Sequence, residues 1–264
     1  ITTGKLLFKN MDWGFDAKDV FFLKFREVVL NNIDASIYRN ASIPNEIKVN
    51  KMYSQKLREL KIGLDVSVLK IVNSKLTYEE ETNTSNAPGK LTFSNFNITA
   101  RNIYSGQGRS SGPQTTIDVS TNFMNSAKLI ANWSFNIMNK SEHFKINGEI
   151  NNFPALAMNP FLKPYMKVSA SGTIDKMRFD FNGNNSVCTG TFGMNYKDLK
   201  MTLYQKDGKK ERKLLSEVGN LFLRDDTKGG VLTTEIKPVE RKKDCSFFNF
   251  LWLSIMQGLK QTVI

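Results

Sequence analysis

The sequence predicts a mainly β fold, an elongated and curved antiparallel sheet, open as a groove or partly closed, with short helices and two helices at its C-terminal end. Three observations carry that expectation. Apolar and polar residues alternate with period two along most of the chain, the pattern of strands with one buried face. Phenylalanine is abundant, 19 in 264 residues, and aromatic side chains favour strands. Helical periodicity is confined to three stretches.

In chain order, the first strand candidates lie at residues 6–8, 20–29, 33–38, 62–78 and 91–103, and they are less regular than those that follow. Between Phe93 and Phe96 the apolar period jumps by three, which a β-bulge explains, and a bulge curves the sheet. The cleanest alternation runs over residues 128–138. Leu129, Ala131, Trp133, Phe135 and Ile137 take one face, and Asn132, Ser134 and Asn136 the other. After a short connection at Asn139 and Lys140, Phe144, Ile146, Gly148 and Ile150 alternate with His143, Lys145, Asn147 and Glu149, as in a hairpin. Met177, Phe179 and Phe181 repeat the pattern, and so do Cys188, Gly190, Phe192, Met194 and Tyr196 beyond a turn at residues 183–185. Leu199, Met201 and Leu203 continue the meander.

Helices are expected at residues 54–60, at residues 212–223, and from about Ser246 to Thr262. Loops fall at residues 80–89, 105–113 and 225–230, none long enough to separate domains. The expected organisation is one elongated β domain over residues 1–264, with residues 1–59 a less regular N-terminal part and residues 205–264 a helical cap.

A net charge of +12 attracts nucleic acid, anionic lipid or acidic glycan within a screening length of about 8 Å. The basic tract Lys206, Lys209, Lys210, Arg212 and Lys213, with Arg241, Lys242 and Lys243 later, suits phospholipid head groups or a solvated loop equally well. Asp207 and Glu211 dilute it and no aromatic residues interleave, so nucleic acid is not an expected partner. The chain opens at Ile1 without a basic and apolar signal segment and reads as a mature form or a trimmed piece. The apolar stretch over residues 247–264 is interrupted by Asn249, Ser254, Gln257, Lys260 and Gln261, unlike a membrane span of about 20 apolar residues.

Catalytic signals are weak. His143 is the single histidine, which rules out HExxH and His-based triads within the chain. Glu79, Glu80 and Glu81, and Asp225 with Asp226, have no acid/base setting. Gly106, Gly108 and Gly112 lack the Lys and Ser/Thr of a phosphate loop. Cys188 and Cys245 have no CxxC spacing; solitary buried thiols or a disulfide both stay open. No enzyme, metal or cofactor is expected.

Residues 148–204, GEINNFPALAMNPFLKPYMKVSASGTIDKMRFDFNGNNSVCTGTFGMNYKDLKMTLY, resemble the C-terminal module of the AsmA-like family of Gram-negative envelope proteins. The parts are a strand ending in Asn152 and Phe153, a segment with Asn159 and Pro160, a strand with Ser171 and Gly172, and paired strands with Tyr196 and Leu199. Residues 74–103 and the terminal SFFNFLWLSIMQGLK are similar in kind, so the resemblance covers roughly residues 60–264. It implies a periplasmic protein held at the inner membrane by an upstream helix outside this chain. It also implies an elongated sheet with an apolar concave face, and a role in phospholipid transport or outer-membrane assembly.

On that basis the expected lipid-binding floor is Leu129, Trp133, Phe135, Phe144, Ile146, Met177, Phe179, Phe181, Phe192 and Met194; the alternative is an ordinary core. In the terminal helix, Phe247, Phe248, Leu251, Trp252 and Ile255 form an apolar face, suited to a membrane interface or to docking on the protein's own sheet. The expected function is a non-catalytic groove that binds or conducts phospholipid, and the alternative is a structural module contacting other envelope proteins.

Overall fold

The computed structural model describes residues 1–41, 43, 49–82, 87–204 and 230–263. Among them the alternation resolves into twelve strands of a single mixed sheet that does not close. The N-terminal strands are β1 (Lys5–Phe15), β2 (Phe21–Asn31), β3 (Asp34–Asn40), β4 (Gly63–Glu81) and β5 (Gly89–Tyr104). The meander continues through β6 (Thr115–Phe123), β7 (Ala127–Phe135), β8 (Phe144–Pro154), β9 (Val168–Gly183) and β10 (Val187–Leu203), and ends in the short β11 (Leu232–Glu235) and β12 (Val239–Glu240). Helix α1 (Tyr53–Arg58) precedes β4, a 3-10 turn (Ala155–Met158) runs into α2 (Asn159–Met166) before β9, and α3 (Phe247–Val263) ends the chain. Spatial order follows chain order from β4 to β11, with β2 and then β1 beyond β4.

Three expectations need revision. The sheet is not antiparallel throughout: β2 and β3 both run parallel to β4, along Gly63–Val72 and Lys75–Glu81 of that 19-residue strand. Parallel neighbours need a long crossover, and the segment carrying α1 supplies it. Strand β6 occupies a stretch not singled out by its pattern, although Thr115, Ile117, Val119, Thr121 and Phe123 alternate with polar residues. The C-terminal part is not wholly helical, since β11 and β12 precede α3; the helix expected at residues 212–223 lies outside the described residues.

The irregular phase of the long strands has a local cause. Asn10, Asn73, Asn95, Asn102, Asn152 and Asp198 sit inside strands with φ between 46° and 58°. Asn and Asp tolerate this left-handed region best among residues with a side chain. The β4–β5 register shifts at Asn73 and Asn95, where the apolar period jumps between Phe93 and Phe96. Asp198 makes the equivalent shift in β10. Facing it, Gly172 has φ +92°, and a Cβ there would stand 2.2 Å from the Asp198 carbonyl oxygen.

Such bulges bend strands and deepen twist, and the sheet curls. Asn159 of α2 exchanges two hydrogen bonds with the backbone of Ala170 in β9, at 2.7 and 3.1 Å. Two residues on, the Phe161 carbonyl lies 3.1 Å from where a Cβ on Gly89 of β5 would be. Strands β5 and β9 are four steps apart, about 19 Å in a flat sheet. One short helix meets both because the sheet is a trough and α2 sits inside it.

Candidate functional site

Residues directly opposite in neighbouring strands share a face, so the register alone defines the floor of the trough. One row runs Leu6, Leu30, Ile71, Ile98, Val119, Ala131, Gly148, Phe179, Phe192, from β1 to β10 without a polar side chain. The parallel row Phe8, Val28, Leu69, Ala100, Ile117, Trp133, Ile146, Phe181, Gly190 is equally apolar. Each crosses nine strands, about 38 Å at 4.8 Å per step. The row between them faces the other way and turns polar from β4 onward: Lys70, Thr99, Asp118, Asn132, Asn147, Asp180, Thr191.

The ten floor residues expected from the sequence all lie on this one face, but over β7–β10 the face is covered. Helix α3 lies along it, and Phe135, Phe144, Ile146, Phe179, Phe181, Phe192 and Met194 are buried in a core shared with Phe247 and Phe250. Leu129, Trp133 and Met177 are partly buried at the margins of the core clusters. Phe247 stacks on Trp133 with ring centroids 4.5 Å apart and an interplanar angle of 11°, and meets Phe144 edge-on at 5.1 Å. Gly258 lets the helix approach closely, since a Cβ there would come within 2.3 Å of the Phe192 ring.

The terminal helix thus divides its expected interface set. Phe247 is 3% exposed against the sheet, whereas Phe248 is 58% exposed; Leu251, Trp252 and Ile255 are intermediate, Trp252 meeting Phe161 of α2 edge-on at 5.8 Å. Of the basic residues flanking α3, Arg241 is buried, donating to Asn185 Oδ1 at 2.6 Å and to the Asn50 carbonyl, while Lys242 and Lys243 are exposed. The tract at residues 206–213 lies outside the described residues.

Helix α1 closes the same end of the trough and is held by a buried charge. Glu142, in the β7–β8 connection, pairs with Arg58 and accepts a 2.5 Å hydrogen bond from Ser54. Arg58 also donates to the Ile137 carbonyl at 2.7 Å. Beside this latch Tyr53 packs edge-on against Trp133 at 5.5 Å.

Toward β1 the floor lies open among the described residues. No described helix packs against β1 or β2. Leu6 and Phe8 are each 48% exposed, and Leu30, Leu69, Ile71, Ile98, Ile117 and Val119 are only half-buried. These open-floor residues were missed in the sequence because bulges break the alternation of β4 and β5, and because β6 went unrecognised.

Other groups have structural surroundings. Cys188 and Cys245 are free thiols, and burial pushes the Cys188 thiol up. His143 is exposed at the start of β8. On the polar face, hydrogen bonds from Arg101 at 2.6 Å and Asn132 at 2.7 Å hold the Asp118 carboxyl below the usual range. Among the described residues no three His, Cys, Asp or Glu side chains gather as a metal site, and no helix is long and apolar enough to cross a membrane. No protein-family model, curated protein or solved structure matches the chain.

Proposed function

We propose that this chain is a non-catalytic, AsmA-like envelope protein whose concave face binds or conducts phospholipid at the periplasmic side of the inner membrane. The observation that carries the reading is the pair of apolar rows, unbroken over nine strands, with no described helix packed against their β1 and β2 end. Each buried acyl CH₂ contributes about 0.8 kcal/mol. Eight methylenes laid on the floor therefore supply about 6 kcal/mol before the cost of ordering the chain. Binding of this kind needs no reacting group, in keeping with the sparse catalytic signals in the sequence.

The test places a charge on the open floor rather than in the core. Ile71 and Ile98 face each other across β4 and β5, so Ile71→Asp with Ile98→Asp abolishes co-purified lipid in native mass spectrometry and slows lipid transfer between vesicles. Ile130→Asp, at an exposed position on the opposite face, leaves both unchanged. Wild-type protein free of lipid, with transfer indifferent to the floor variants, would sink the reading.

A second reading, a structural module using the apolar face as core, is favoured by the way α3 closes the trough over β7–β10. Photo-crosslinking from Val119 separates them. Lipid adducts belong to the groove, and adducts to protein alone belong to the scaffold.

A further inference from the structure

Trp133 stands between Ile117 and Ile146 in one of the two apolar rows, and its indole Nε1–H is buried without a hydrogen-bond partner among the described residues. We infer that this N–H donates to the carbonyl oxygen of an acyl ester, fixing the position of a phospholipid in the trough, and that Tyr53 of α1 is the cover that moves to admit it. The inference rests on the lipid reading above and adds to it the point where head and chain meet the floor.

An orphaned buried donor is uncommon, because the group has given up water and gained nothing. Its surroundings limit what satisfies it. Packed on the indole are the rings of Phe247, Phe135 and Tyr53, with centroids 4.5, 4.9 and 5.5 Å away. A lone water needs roughly two to four polar partners, which walls made chiefly of ring carbon do not supply. A phosphate or carboxylate would leave its charge desolvated among the same rings. Since an indole N–H only donates, the partner is a neutral acceptor. An ester carbonyl is such an acceptor and arrives with an acyl chain, for which the row continues as apolar floor through Ile117 and Ala100 toward β5.

Access decides which wall gives way. Phe247 is fixed, being 3% exposed on a helix whose Gly258 lies tight against the Phe192 ring. Tyr53 is 38% exposed and belongs to a helix of six residues. That helix is seated through Glu142, which is buried at φ 59°, in the left-handed region that residues other than Gly, Asn and Asp seldom take. Backbone strain of this sort gathers at clamps and switches. The closed state thus carries both a strained latch and an unpartnered donor. Swinging α1 aside relieves the first, and an ester at Trp133 relieves the second. Asn50, tied to Lys243 and Arg241, is the fixed end of the swing.

Diacyl phosphatidylethanolamine and its dialkyl ether analogue share head group and chain length and differ in the carbonyls. Offered in equal amounts in mixed vesicles, they are counted on the recovered protein by native mass spectrometry. A hydrogen bond to an otherwise orphaned donor is worth about tenfold, so the wild type holds the ester lipid about tenfold over the ether. Trp133→Phe keeps a ring against Phe247 but has no N–H, and it holds the two equally. Benzothienylalanine at position 133, with sulfur in place of the N–H in the same bicyclic shape, gives the same even ratio and covers the case in which Trp133→Phe unfolds. Tyr53→Ala keeps the preference and loads several times faster. An even ratio in the wild type, or a preference that survives both replacements, overturns the ester contact and leaves the trough reading standing. Loading no faster in Tyr53→Ala overturns the moving cover. A wild type that takes up neither lipid removes the trough reading and this inference together.

Discussion

Replacing Phe247 by Ala removes the ring that seats α3 on the sheet, and the structure sets the size of the effect. The side chain is 3% exposed and lies among Trp133, Phe144 and Tyr53. Truncating a buried Phe costs about 3–5 kcal/mol through lost transfer energy and the cavity left behind. The parallel stack on Trp133 places this site toward the upper half of that range, because aromatic pairs add about 0.5–1.5 kcal/mol beyond area. A loss near 4 kcal/mol is then expected, within the roughly 5–15 kcal/mol that holds a typical domain folded. With a urea slope of roughly 2–3 kcal/mol/M, the unfolding midpoint falls by about 1.3–2 M. Its neighbour is the internal control: Phe248, 58% exposed, loses under about 1 kcal/mol on truncation. Urea titration of both variants decides the matter. Equal losses, or a loss under about 1 kcal/mol for Phe247→Ala, would refute the seating of α3 on Trp133 and leave the helix as a surface element.

Two further outcomes follow from charges. Glu142→Gln leaves the half-buried Arg58 without its counter-charge, and since breaking a fully buried pair costs about 3–5 kcal/mol, a loss at or below the lower end of that range is expected; hydrogen exchange then shows α1 amides opening ahead of the sheet. Asp118, whose carboxyl lies below its ordinary value through Arg101 and then Asn132, contributes stability that is present above pH 3.8 and is lost as pH falls through the folded-state value. Urea midpoints measured downward from pH 5 fall less steeply in Asp118→Asn.

Strands were most legible where no bulge intervenes. Along β8, Phe144, Ile146, Gly148 and Ile150 keep strict alternation, and the same four residues are buried. In β4 and β5 the alternation passes through Asn73 and Asn95, where the register shifts and the phase resets. The sequence there shows a bulge but not which apolar set shares a floor with which. Parallel pairing of β2 with β4 was hidden, because strand direction depends on the route of a crossover and not on residue pattern. Helix α2 was hidden as well: Pro160 and Pro164 mask an eight-residue helix whose place rests on Asn159 and Phe161 meeting β9 and β5. Of the site, the apolar face was readable from β7 to β10. Which part of it α3 covers is a question of tertiary contact.

The crossover before β4 also bears on the order in which the protein folds. Asn50 accepts from Arg241, 191 residues away, and its amide donates to the Lys243 carbonyl at 2.7 Å. The loop that carries α1 onto the concave side is therefore fastened by residues near the other end of the chain. Closing so long a loop precedes any gain from the contacts it brings together, and topologies rich in such contacts fold slowly. The N-terminal strands thus wait, without their final anchor, until the segment after β12 arrives. During that interval the open floor is the surface most exposed to wrong partners.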